Sequence, residues 1–125
     1  MILVDSVGWI EFFTDGPLAA SYAKHLQPIS EVVVPTVVLY EVYKKIKREK
    51  SEEEAFMAAV QMQRGRVVPL TDELSLSAAD LSLHHHLPMA DAIVYATALQ
   101  EKAKLATSDK DLKDLPQVIY YSKSS

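Results

Sequence analysis

The chain contains no cysteine, which excludes disulfides, thiolate-bound zinc and thiol catalysis. Glycine is nearly as scarce, three residues in 125, and no low-complexity tract, internal repeat or linker interrupts the sequence. One domain over residues 1–122 is therefore expected, with an exposed tail at 123–125. No apolar run approaches the roughly 20 residues of a membrane span. The start, MILVDSVGW, carries an acid where a secretory leader needs a basic stretch. These absences point to a soluble, cytoplasmic protein. Positive charge is also in short supply, 13 Lys and Arg against 17 Asp and Glu, for a net charge of −4. Proteins that hold nucleic acid through overall charge are basic. Any phosphate-bearing substrate must here meet local cations or a bound metal ion.

What is present is an alternation of short apolar runs and helical patterns. Ile2–Asp5 reads as a strand and Ser6–Phe13 as a helix. Asp15-Gly16-Pro17 is a turn into a second helix reaching about Leu26, closed by Pro28. Val32–Val34 reads as strand two. Thr36 is expected to cap the helix Val37–Glu49, whose apolar stripe is Val38, Leu39, Val42 and Ile46. Ser51 and Glu54 form a capping box ahead of the next helix, which Gly65 ends. Arg66–Leu70 is a third strand, and Thr71 caps a helix to His86. Met89–Lys102 is a further helix, Leu105–Thr107 strand four, Lys110–Leu115 a short helical turn and Val118–Tyr121 strand five. Short buried strands separated by helices argue for an α/β protein with a parallel sheet covered on both faces.

In such sheets ligands gather beyond the carboxyl ends of the strands. Asp5 ends the first strand, Asp109 follows the fourth by two residues, and Asp91 lies in the first turn of the helix leading to it. Glu41 borders the apolar stripe of its own helix and can face the same sheet edge. Four converging carboxylates repel one another unless a cation neutralises them. Oxygen-only donors favour a hard ion, magnesium or manganese, whose waters and charge serve phosphoryl chemistry. Each acid also has a plain structural reading. Asp5 and Asp91 can be helix caps, Glu41 can pair with Lys44 or Lys45, and Asp109 and Asp111 can serve the turn TSDKDL. Spacing alone leaves both readings open.

The text around the acids resembles the PIN-domain family. VDSVGWIEFF (4–13), PTVVLYEV (35–42), LPMADAIVYATAL (87–99) and LATSDKDL (105–112) are similar to that family's motifs in order, spacing and total length. The resemblance covers essentially the whole chain. It implies a three-layer α/β/α fold, a five-stranded parallel sheet of order 3-2-1-4-5, and a metal-dependent ribonuclease site. Carried over, Asp5, Glu41, Asp91 and Asp109 are the catalytic, metal-binding acids for magnesium or manganese. Ser6 and Thr107 are hydroxyls that orient them, and Asp111 either joins them or caps the turn. Leu112 departs from the aromatic residue often found there. The compact form is most similar to VapC-type toxins, which implies an RNA substrate, a cognate antitoxin and a homodimer formed by the helices after strands one and two. The antitoxin would lay an extended tail across the groove and place a basic residue among the acids. Free-standing PIN nucleases in RNA processing and catalytically silent PIN-like binding modules share the pattern. A phosphoacceptor signalling domain does not, since it needs an acid ending strand three, where Val68-Pro69-Leu70 stands, and a lysine after the last strand, where Lys123 reads as part of a frayed tail.

Three further features stand outside these motifs. His84-His85-His86 point about 100° apart on a helix and cannot share one ion, so they read as a solvated helix end. Lys44, Lys45, Lys47, Arg48 and Lys50 are either a soluble helix face or a rim for phosphates or an acidic partner. Trp9, Phe12, Phe13 and Tyr22 read as core and interface.

Overall fold

The computed structural model describes residues 1–123; Ser124 and Ser125, part of the expected exposed tail, lie outside the described residues. β1 (Ile2–Val4) leads directly into α1 (Ser6–Thr14), followed by α2 (Ala19–Ala23) and single 3-10 turns at Lys24–Leu26 and Ile29–Glu31. Next come β2 (Val32–Pro35), α3 (Thr36–Glu49), α4 (Glu52–Met62) and β3 (Arg66–Val68). The chain then runs through α5 (Asp72–His85), α6 (Met89–Gln100), β4 (Lys104–Thr107), a 3-10 turn at Lys110–Leu112 and β5 (Val118–Tyr120). Every strand pairing is parallel, in the order β3-β2-β1-β4-β5. The expected α/β architecture and strand order are thus observed. Among the described residues no helix is long and apolar enough to cross a membrane.

The strands lie between helical layers, so their runs are apolar on both faces. Leu3, Val4, Val32, Val33, Val34, Leu105 and Ala106 are completely buried. α6 is the most enclosed helix, with every residue from Ala92 to Ala98 buried. Its alanines let it sit close to the sheet. Leu112, in the position that often carries an aromatic residue, is fully buried and contributes packing.

Local chemistry sets the element boundaries. Ser51 Oγ accepts from the Glu54 amide at 3.0 Å, and Thr71 Oγ1 from the Leu74 amide at 3.1 Å, so both expected caps form. Thr36 is not a cap. β2 passes into α3 with no intervening loop, so Pro35 takes the cap position with extended backbone and Thr36 starts the helix. The helix expected to reach Leu26 from Pro17 is confined to Ala19–Ala23, with a 3-10 turn after it. Glu11 Oε1 instead accepts the Leu18 amide at 2.7 Å and organises the turn before α2. β3 stops at Val68, short of Leu70, since Pro69 has no amide for the ladder. α6 ends at Gln100 rather than Lys102, which has a left-handed backbone, φ 54°.

Candidate functional site

β1 is central in the sheet, and the chain builds outward from it in one direction to β3 and then in the other to β5. The winding therefore reverses between β1 and β4, which leaves a crevice at their carboxyl ends. Asp5 sits there. Its amide donates to the Ala106 carbonyl at 3.1 Å, carrying the β1–β4 pairing one residue past the strand. Its Oδ1 accepts from the Ser6 amide at 2.7 Å, so Asp5 does cap α1. Its Oδ2 accepts from Thr107 Oγ1 at 2.8 Å, and the residue is only 5% exposed. Thr107 Oγ1 in turn accepts the Asp109 amide at 3.0 Å. One buried hydroxyl thus ties the acid of β1 to the loop after β4.

Asp109 Oδ1 accepts the Asp111 amide at 2.9 Å, capping the 3-10 turn. This fold-back carries Asp111 into the site. Carboxylate oxygens of Asp91, Asp109 and Asp111 lie within 4.8 Å of one another. Asp91 stands in the first turn of α6 as expected, but Pro88, not Asp91, occupies the cap position.

Electrostatics link the acids beyond these contacts. Asp91 is pushed up to about 8, first by burial, then by its hydrogen bond with and repulsion from Asp109, with Asp5 and Asp111 adding. Burial raises Asp5 above the usual carboxylate range against the hydrogen bonds from Thr107 and Ser6, and Asp109 adds to the rise. Glu41 is raised by burial and then by Asp5, with a hydrogen bond to Ser6 acting against the rise and Asp109 adding to it. The four acids singled out in the sequence therefore share one electrostatic field. They divide in placement: Asp91 and Asp109 cluster tightly with Asp111, Asp5 is buried, and Glu41 stands beside Ser6 at the groove. All donors are carboxylate oxygens, and the raised values of Asp5, Glu41 and Asp91 show that their charged forms are disfavoured there. Such a set fits a hard divalent ion.

Beside Glu41 a groove of about 490 Å³ opens between α1 and α3, lined among others by Ser6, Tyr40, Lys44, Lys45 and Lys123. Lys123, expected in an exposed tail, is indeed exposed. It also borders the groove, and its charge acts on Asp5. No local pattern announces this, because it depends on the chain after β5 returning toward α1. Tyr22, read as core, is buried but also bonds through its hydroxyl to Ser108 Oγ at 2.6 Å. It therefore braces the loop that carries Asp109. Burial, followed by lesser opposing and reinforcing contacts, pushes Tyr22 up to about 12. Trp9 is buried and stacks with Phe13, as a core residue should. His84 and His85 lie in the last turn of α5, and His86 closes it in a left-handed conformation. The three histidines form a helix end.

The PIN-domain profile matches residues 2–118 of this chain. No curated protein matches in sequence. Among solved structures, a toxin–antitoxin complex from Klebsiella pneumoniae is similar with a TM-score of 0.82 at 23% identity, over 98% of this chain and 99% of that one. VapBC2 from Rickettsia felis, bound to a promoter DNA fragment, is similar at 0.75 and 17% identity, with 98% of each chain covered. VapC20 of Mycobacterium tuberculosis, a toxin that cleaves the sarcin–ricin loop, is similar at 0.72 and 21% identity, over 90% of this chain and 92% of that one.

Proposed function

Because the chain belongs to the PIN-domain family, we propose that it is a metal-dependent endoribonuclease and the toxin of a VapBC-type toxin–antitoxin pair. The observation that carries the reading is the convergence of Asp91, Asp109 and Asp111 oxygens within 4.8 Å, with a buried Asp5 acting on Asp91. A fold needs no such cluster, because like charges at this spacing oppose folding. Asp5, Asp91 and Asp109 would hold magnesium or manganese, with Glu41 at the mouth and Asp111 as a further donor. The bound cation would supply charge stabilisation at the phosphoryl group and a nucleophile derived from water.

The chain's own residues account for the rest. Ser6 and Thr107 fix the two Asp5 oxygens, so that carboxylate enters the reaction already oriented. Thr107 also holds the Asp109 backbone, so one hydroxyl links the two acids. Asp91, whose charge is opposed first by burial and then by Asp109, would give up its proton when a cation binds. Glu41 sits where substrate passes from the groove toward the acids, and can accept a proton or orient a water there.

A toxin working in the cytoplasm needs a partner that masks this site. The chain's similarity to complexes described as toxin–antitoxin assemblies supports an antitoxin whose basic side chain replaces the cation among the acids. Phe56, Met57 and Val60 on α4 stay exposed and offer apolar area for that partner or for the second copy of a homodimer. The experiment that tests the reading is expression in a bacterial host. The protein alone should arrest growth, and Asp5→Ala or co-expression of a cognate antitoxin should release it. Harmless expression with retained cleavage in vitro favours a free-standing RNA-processing PIN nuclease instead.

A further inference from the structure

The groove between α1 and α3 combines three properties that the acid cluster does not require. It carries cations from two distant parts of the chain, Lys44 and Lys45 on α3 and Lys123 after β5. Among the described residues, Lys44 and Lys123 form no ion pair, whereas Lys45 and Arg48 are engaged by Glu49. Its wall also presents an aromatic ring: Tyr40 is 60% exposed, with the Lys44 ammonium 5.4 Å from the ring centre. Third, the groove is continuous with the acids through Ser6 and Glu41, which line it. Glu11, the other acid of the wall, has one carboxylate oxygen committed to the Leu18 amide. A chain of net charge −4 thus concentrates cations and one open ring at the mouth of its most acidic site.

Lysines that track a backbone, interleaved with a ring on which a base can stack, are the means by which proteins hold single-stranded nucleic acid. An acidic peptide would use the cations but leave Tyr40 without a role. A duplex would keep its bases stacked away from the ring. We propose that this groove seats a single-stranded RNA segment next to the scissile phosphate, with Lys123 and Lys44 on its phosphates and a base stacked on Tyr40. The assignment rests on the ribonuclease reading above and adds to it the residues that hold the strand. It also gives Lys123 a task, since without it one wall of the groove loses its cation.

The test is binding measured without cleavage. In an Asp91→Asn background with manganese present, a fluorescent 2′-O-methyl RNA dodecamer of mixed sequence is titrated by anisotropy. Lys123→Met is expected to weaken binding about fivefold at low salt. It should also make the slope of log K against log salt shallower by about 0.7, the value for a single phosphate left unneutralised. Tyr40→Ala is expected to weaken binding about tenfold with the slope unchanged, because stacking releases no counterions. Lys123→Arg should restore most of the affinity, and Lys104→Met, at the opposite end of β4, should change nothing. Melting temperatures report that the variants remain folded. Groove variants that bind like the parent would overturn the assignment, as would equal affinity for a duplex of the same sequence. Loss of polyglutamate binding on Lys123→Met, with RNA binding intact, would overturn it in favour of an acidic protein segment. Should the unmodified protein cut no RNA while this binding pattern holds, the groove stands and the nuclease reading falls. Should it cut RNA while the groove variants bind normally, the reverse is true.

Discussion

Thr107 does two jobs with one hydroxyl, donating to Asp5 and accepting from the Asp109 amide. Thr107→Val keeps the shape and removes both bonds, leaving a buried carboxylate oxygen short of a donor. Stability should fall by roughly 1–3 kcal/mol in urea titration, and cleavage should fall with it. A variant as stable and active as the parent would show the hydroxyl to be incidental. Asp91 gives a prediction in pH. Its folded-state value near 8 lies far above the ordinary carboxylate value. Between about pH 4 and 8 the folded state therefore holds a proton that the unfolded chain releases, and raising pH through that window destabilises the fold. Asp5 and Glu41 are raised as well and act in the same direction. In chelator, the melting temperature should drop between pH 5 and pH 9. Asp91→Asn should flatten that drop and raise melting at pH 9 by about 4 °C, the equivalent of roughly 1 kcal/mol. An unchanged slope in the variant would place the proton elsewhere. The four acids were legible in the sequence because their motifs carry them; Asp111 was only half legible, because its approach depends on a side-chain cap that folds the loop back.

α1 is positioned by a missing side chain. A Cβ at Gly8 would lie 2.5 Å from Tyr22 Cδ1 and 2.6 Å from Val4 Cγ1, so the helix seats against β1 and α2 only with glycine there. Gly8→Ala should cost about 1–3 kcal/mol through overpacking. It should also impair cleavage, since α1 begins with Ser6 and is capped by Asp5. Ser51→Ala is the contrasting case. It removes the cap of α4, far from the acids, and should cost about 1 kcal/mol in thermal unfolding while cleavage is retained. The caps at Ser51 and Thr71 could be read from sequence because a capping hydroxyl bonds within three residues of itself. The loopless passage from β2 into α3 could not, since Thr36 after a strand looks like a cap until Pro35 is seen to occupy that place. The place of Lys123 beside the groove was illegible for a related reason. Its neighbours in sequence say nothing about the elements to which the chain returns.

At the scale of the whole molecule, the strand order puts acids from the first and last thirds of the chain into one crevice. Strand runs and helix periods gave the layered α/β class, but periodicity cannot order parallel strands; that order came through the family resemblance. A cation that binds only the folded state must stabilise it, by about 2.7 kcal/mol at a hundred times its dissociation constant. Manganese should accordingly raise the melting temperature, and chelator should reverse the gain. The measurement that bears most directly on the account is cleavage of a labelled single-stranded RNA by the purified, antitoxin-free protein, compared with Asp91→Asn. The account predicts cutting that requires manganese or magnesium, stops in chelator, and falls by about a hundredfold or more in the variant. Cutting that persists in chelator, or that Asp91→Asn leaves at the parent's rate, would contradict it.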